Sequence, residues 1–233
     1  MSRSLLLPLV LLVSAPVLAQ DKAASPRPGT IEVPDFRGVA VSHGIRAEVK
    51  VGPKSVRLEG NKDDVARVKL EVKDGVLTTR VDKGSWRSSG IKGVRLYVTS
   101  PRVEHVSASG GAHVDAEVTP ANELELEASG GSELRIAGVD TKSLEVEASG
   151  GAEVSIRGRA AEMKVEGSGG SVIQASKVQV ETLEVEASGG ARIEASPTQG
   201  LRGELSGGST VQAASKPAKV QVESSGGSGV HYQ

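Results

Sequence analysis

Glu147-Ala148-Ser149-Gly150-Gly151-Ala152 is one copy of a unit that recurs through the second half of the chain. Ser-Gly-Gly occurs at Ser109, Ser129, Ser149, Ser168, Ser188, Ser206 and Ser225, in steps of 20, 20, 19, 20, 18 and 19 residues. Seven copies at that period are the signature of stacked structural repeats. The residues around each copy alternate strictly. Leu144, Val146, Ala148, Gly150, Ala152, Val154 and Ile156 are apolar or small, whereas Glu145, Glu147, Ser149, Glu153 and Ser155 are polar. The same parity holds for Leu124 to Ile136 and for Leu183 to Ala195. Alternation with period two is the pattern of a half-buried strand.

The parity runs straight through the glycine pair, so the pair reads as a bend within one extended path, with the even-numbered glycine expected to point inward. One short turn segment per repeat remains for the return, Gly138 to Lys142 in one copy. One long path and one return every 19 or 20 residues describe a coil of a β-solenoid. With coils about 4.8 Å apart, seven would make a rod of roughly 34 Å. An antiparallel sandwich is disfavoured, because sandwiches do not repeat a motif at fixed period.

Composition narrows the function. Among 233 residues, Lys+Arg number 28 and Asp+Glu 29, so no net field selects nucleic acid or anionic lipid. Aromatics are 2%, Phe36, Trp86, Tyr97 and Tyr232, too few for platforms that stack sugars or bases. There is no Cys, hence no disulfide. Met1-Ser2-Arg3, the apolar run Leu5 to Val13 and the small residues up to Ala19 form an export-signal pattern with cleavage expected after Ala19. No later run reaches membrane-spanning length. The expected organisation is a signal peptide at 1–19, a flexible mature N-terminus at 20–34 and one solenoid domain at 35–233. Within that domain, 35–100 would supply irregular coils or a cap, and 101–233 the seven Ser-Gly-Gly coils. In the first part, alternating strands are expected around Val49, Val56, Leu70, Leu77 and Leu96. A helical turn is expected at Lys62 to Val65, a hairpin turn at Asp74-Gly75, and a polar loop at Lys83 to Gly93.

Stacking turns repeat positions into columns. Two residues before each Ser stand Glu127, Glu147, Glu166, Glu186, Glu204 and Glu223, with Ser107 in the first coil. By parity they face outward as an acidic ladder. Carboxylates 4.8 Å apart repel by about 1 kcal/mol in water. The ladder either collects divalent cations, Ca²⁺ above all, or a basic partner, or is a solvated face that discourages sheet-to-sheet aggregation, the usual role of a run of surface charge. The flanking Ser column would be a structural ladder rather than a set of nucleophiles, since no Ser has His and Asp companions at a recurrent spacing. His105 and His113 flank the first glycine pair with no third ligand for zinc. No catalytic residue and no cofactor-binding motif is found.

Val39-Ala40-Val41-Ser42-His43-Gly44-Ile45-Arg46-Ala47-Glu48-Val49, followed by Leu58-Glu59-Gly60-Asn61, Gly75-Val76-Leu77 and the Ser-Gly-Gly array, resembles the bacterial head GIN domain family of auto-transporter adhesins, a domain of unknown function. Gly44 and Ile45 match the Gly-Ile-Asn triplet, with Arg46 in place of Asn. The resemblance covers about residues 35 to 225. It implies a right-handed parallel β-helix exported to the periplasm or cell surface, and no catalytic residues. The expected function is therefore a non-catalytic envelope module that binds a glycan or protein, with end-to-end self-association open to it. The alternative is a carbohydrate-active β-helix enzyme, which the short turns disfavour because they build no deep groove.

Overall fold

The Ser-Gly-Gly triplets are the corners of a parallel β-solenoid. The computed structural model describes residues 29–82, 91 and 93–233. The export-signal pattern, residues 20–28 and most of the loop around Trp86 lie outside the described residues.

At each corner the chain turns tightly: the Ala152 N–H donates to the Ser149 carbonyl at 3.4 Å, and the same i to i+3 bond closes at Ser168, Ser188 and Ser206. The first glycine of each pair has positive φ, +69° at Gly150 and +68° at Gly169. Glycine is also demanded by its neighbours. A methyl group on Gly169 would sit 3.0 Å from the Gly150 carbonyl oxygen, while the Gly170 N–H donates to that oxygen at 2.6 Å. Backbone stacked this closely leaves no room for a side chain.

The corner corrects one expectation. Gly130, Gly150, Gly169 and Gly189 are exposed, so the glycines form an outward ridge. What points inward on either side is small: Ala128, Ala148, Gly167 and Ala187 before the turn, Ser132, Ala152, Ser171 and Ala191 after it. A tight two-residue turn keeps the same parity as an extended bend, so alternation cannot separate the two.

The strands in chain order are β1 (Gly38–Val41), β2 (Arg46–Val51) and β3 (Ser55–Glu59); helix α1 (Lys62–Arg67) follows. Next come β4 (Val68–Lys73), β5 (Val76–Val81), β6 (Arg95–Ser100), β7 (His105–Ala108), β8 (His113–Glu117) and β9 (Ala121–Ala128). The long β10 (Glu133–Ala148), β11 (Glu153–Gly167) and β12 (Val172–Ala187) follow. The chain closes with β13 (Arg192–Ala195), β14 (Pro197–Leu205), β15 (Thr210–Ala213), β16 (Lys219–Ser224) and β17 (Gly229–Tyr232). Two parallel faces result. The face before the corners stacks β5, β1, β7, β9, the C-terminal halves of β10 to β12, β14 and β16. The face after them stacks β6, β2, β8, the N-terminal halves of β10 to β12, β13, β15 and β17.

In β10, β11 and β12 the return from one face to the other is itself strand, where a short turn was expected. Val139 and Thr141 are buried in it, and the Thr141 hydroxyl lies 3.0 Å from the Asn122 carbonyl and 2.9 Å from that of Ser143. The register shifts between Ile136 and Val139, between Ser155 and Arg157, and between Val180 and Thr182. These bulges absorb the unequal repeat lengths at the return, so both faces stay aligned.

Between the faces lies an aliphatic core in columns. Leu124, Leu144, Met163, Leu183 and Leu201 are in register on one face, and Val114, Leu134, Val154, Ile173, Ile193 and Val211 on the other. All are 2% exposed or less. The N-terminal region supplies a coil of the same kind. His43-Gly44 takes the place of a glycine pair, with φ of +63° and +72°, and the Gly44 N–H donates to the Gly110 carbonyl. Ile45 is then fully buried at the head of the small-residue column. Beyond it, β3 and β4 run antiparallel to β6 and β5 and close that end of the rod. Asn61 caps α1 by accepting from the Asp63 N–H at 2.9 Å.

Among the inward serines, Ser132, Ser209 and Ser228 donate to the carbonyls of Ala108, Ala187 and Leu205. The Ser171 hydroxyl is fully buried without a partner. An unpaired buried hydroxyl costs about 1–3 kcal/mol. Ser171→Ala, the residue found at this position in neighbouring coils, is therefore expected to raise the melting temperature by roughly 2–12 °C; differential scanning calorimetry would show it. Ser132→Ala removes a bonded hydroxyl and is expected to lower it.

Candidate functional site: an acidic face beside the corner ridge

The register places the six glutamates in one unbroken column. Glu127 pairs with Glu147, Glu147 with Glu166, Glu166 with Glu186, Glu186 with Glu204 and Glu204 with Glu223. Ser107 stands opposite Glu127 at the column's head. The alternation of the strands turns all six side chains away from the core. Five of them, Glu147, Glu166, Glu186, Glu204 and Glu223, line a shallow groove of about 530 Å³ together with Ser149, Ser168, Ser188, Ser206 and Ser225.

The adjacent outward column differs in charge. It reads His105, Glu125, Glu145, Lys164, Glu184, Arg202 and Gln221. Its cations neutralise acids within it and beside it. Lys164 Nζ lies 2.5 Å from Glu166 and 3.6 Å from Glu145, and Arg202 bonds Glu184. The glutamate ladder holds no cation of its own. Glu145, Glu147 and Glu166 can bring carboxylate oxygens within 4.8 Å of one another. This cluster includes Glu145, which the sequence pattern missed because it lies one column away; only the i, i+2 spacing on one strand joins it to the ladder.

Partial desolvation, followed by the charges of Glu166, Glu127, Glu145 and Glu125, raises the Glu147 carboxyl above the ordinary glutamate range. A raised carboxyl binds its proton more tightly in the folded state. Stability then falls as pH rises from the unfolded value near 4.5 through the folded one, and the penalty is complete above that. Glu147→Gln is accordingly expected to raise the melting temperature at pH 7 by about 2 °C, given a repulsion of about 1 kcal/mol. The gain should vanish at pH 4. Melting curves of both proteins across pH 4–8 give the test; a gain that does not depend on pH would refute the charge explanation.

The two histidines beside the first corner sit on different faces. His105 Nδ1 lies 3.0 Å from Glu125, and His113 Nε2 lies 3.6 Å from Glu133, so each has its own carboxylate and the two do not converge. The described residues otherwise carry ion pairs typical of a solvated surface, such as the two bonds of Arg159 to Asp140 at 2.7 and 2.8 Å.

A two-faced parallel solenoid with glycine corners, a buried Ile45 after the exposed Gly44 and a polar outer face defines a class of repeat-built β domain. Residues 35–217 match the family described as "Putative auto-transporter adhesin, head GIN domain", and the chain belongs to that family. Solved structures with this fold include a "putative adhesin" from Bacteroides fragilis, with TM-score 0.80, 18% identity, and coverage of 88% of this chain and 95% of that one. A "putative adhesin" from Parabacteroides merdae has TM-score 0.68 and 18% identity over 88% and 94% of the two chains. A "putative lipid binding protein" from Parabacteroides distasonis has TM-score 0.64 and 14% identity over 88% and 95%. No curated protein matches this chain. Among the described residues, no helix is long and apolar enough to cross a membrane.

Proposed function

We propose that this chain is an exported, non-catalytic adhesin-like module whose acidic face binds an envelope glycan or protein, with Ca²⁺ as the bridging ion. The observation that carries the reading is the in-register ladder, in which Lys164 of the next column pairs with Glu166 alone. Six carboxylates stand in register on one face, although each step costs about 1 kcal/mol. The neighbouring column shows that this scaffold accepts Lys and Arg at outward positions. A column kept to glutamate beside it suits divalent cations, which carboxylate oxygens bind well, or a basic partner. Export rests on the pattern at Met1 to Ala19. The non-catalytic reading is supported by membership of a family described as an adhesin.

A glycan and envelope-fraction binding screen, run with Ca²⁺ and with EDTA, tests the reading. Binding that EDTA removes, and that a Glu147→Gln/Glu166→Gln/Glu186→Gln variant loses while keeping its circular dichroism spectrum, is the expected result. Turnover of an acidic polysaccharide would sink the non-enzyme reading. A melting temperature unmoved by millimolar Ca²⁺ would remove the cation, leaving a basic partner.

A further inference from the structure

The two ends of the rod are built differently. At one end β3 and β4 add antiparallel to the last coil and cover its edge. At the other, β16 and β17 pair only with β14 and β15, and among the described residues no strand covers their far edge. The core columns also emerge there. Val220, Val222 and Val230 are half-buried and Tyr232 is 38% exposed, whereas Leu183, Val185, Ile193 and Val211 of the inner coils are at most 1% exposed.

The free edge has a defined phase. The Ser225 N–H donates back to Leu205, the Gly229 N–H to Ser209 and the Gln233 N–H to Ala213. Odd-numbered amides thus face the preceding coil. Strand alternation leaves the amides and carbonyls of Val220, Val222, Val230 and Tyr232 pointing off the end.

The strand Lys219-Val220-Gln221-Val222-Glu223 reads as its own complement when reversed. We infer that this edge pairs with the same edge of a second copy, antiparallel, about a two-fold axis through Gln221 and normal to the sheet. Each Val220 of one copy then exchanges both backbone hydrogen bonds with Val222 of the other, as a narrow antiparallel pair requires. Each Lys219 faces a Glu223 across the interface. On the opposite face the same axis passes at His231 and sets Val230 against Tyr232, again residues whose backbone groups are free. The valines and tyrosine left at the end are covered, and an exposed edge is closed. The contact is isologous and therefore stops at two copies. An axis normal to the sheets keeps both acidic faces on one side of the dimer, so a repeating surface ligand would be held at two points. The pairing uses the rod's end and does not depend on what the acidic face binds.

Sedimentation equilibrium on the purified protein and three charge variants tests the inference. The wild-type protein should be a monomer–dimer system. Lys219→Glu and Glu223→Lys each set like charges opposite at two dyad-related places, and each should raise the dimer dissociation constant by roughly 30-fold. Their equimolar mixture should form a heterodimer, because the strand that is acidic at both ends in one copy then meets the strand that is basic at both ends in the other. The doubly swapped variant should dimerise like the wild type. A wild-type monomer at the highest soluble concentration, single variants that dimerise unchanged, or a mass that grows with concentration beyond two copies would each overturn the inference. Circular dichroism melting of the single variants shows that they remain folded. The binding screen reads the acidic face separately, so either idea can fail alone.

Discussion

Gly158→Ala is expected to destabilise the rod by about 4 kcal/mol or more, well beyond a typical substitution. Gly158 lies at the return between the faces, opposite Val139 on one side and Val178 on the other. Its φ is +144°, and a methyl group would lie 2.1 Å from the Val139 carbonyl oxygen and 2.7 Å from both the Val139 nitrogen and Cβ. Two of those atoms are backbone in a stacked strand, which cannot move without breaking the register. Strain at such φ adds roughly 1–3 kcal/mol. In a solenoid each coil contacts only its neighbours, so the damage should be local and should divide the rod. Thermal unfolding should broaden or split, and amide exchange should accelerate in β10 to β12 first. Gly131→Ala is the control, since nothing lies within 4 Å of the added carbon and its φ is not positive. Equal melting temperatures for the two variants would refute the steric argument.

Leu183→Ala carries the second large effect, about 3 kcal/mol, from lost burial and the cavity left between stacked layers. Leu183 is 1% exposed, with Met163 above and Leu201 below in the same column. Those neighbours are held at strand spacing and cannot collapse into the gap. Val222→Ala, in the last coil, removes a half-buried side chain and should cost about 1 kcal/mol or less. At 2–4 °C per kcal/mol, Leu183→Ala should melt roughly 6–12 °C lower than the parent. A smaller loss than that of Val222→Ala would show that the column is not the stabilising element.

The unequal repeat steps show how far a sequence pattern reaches. The period, the alternation and the position of Ser-Gly-Gly define strands, faces and the in-register glutamate column, because each depends only on side-chain parity and repeat length. Where one residue is gained or lost within a repeat could not be read. The bulges at Ile136/Val139 and Ser155/Arg157 sit at the return, where polar and apolar residues mix and no parity survives. The Glu145, Glu147 and Glu166 cluster was half legible for a related reason. The ladder follows from one repeat position, but Glu145 belongs to the next column, whose members change sign from coil to coil.

A volume exchange in the penultimate coil was equally hidden. In one inward column Val146, Val165 and Val185 are followed by Gly203, and in the next Ala148, Gly167 and Ala187 are followed by Leu205. A large side chain has moved one inward position along the strand. A methyl group at Gly203 would lie 1.9 Å from the Val185 carbonyl oxygen, so its absence is compulsory. Only the stacking of the coils brings residues eighteen apart into one column, where the exchange becomes visible.

The glycine pair marks the boundary between the two kinds of knowledge. By itself the sequence determined that Ser-Gly-Gly recurs once per coil, that small residues flank it inside and that acids line up beside it. The tertiary structure alone decided which way the corner points. Alternation counts residues and is the same for an extended bend and for a two-residue turn. The outward ridge follows instead from backbone stacked on backbone, with the N–H groups of Gly151, Gly170, Gly190, Gly208 and Gly227 each bonded to the carbonyl of the first glycine one coil before.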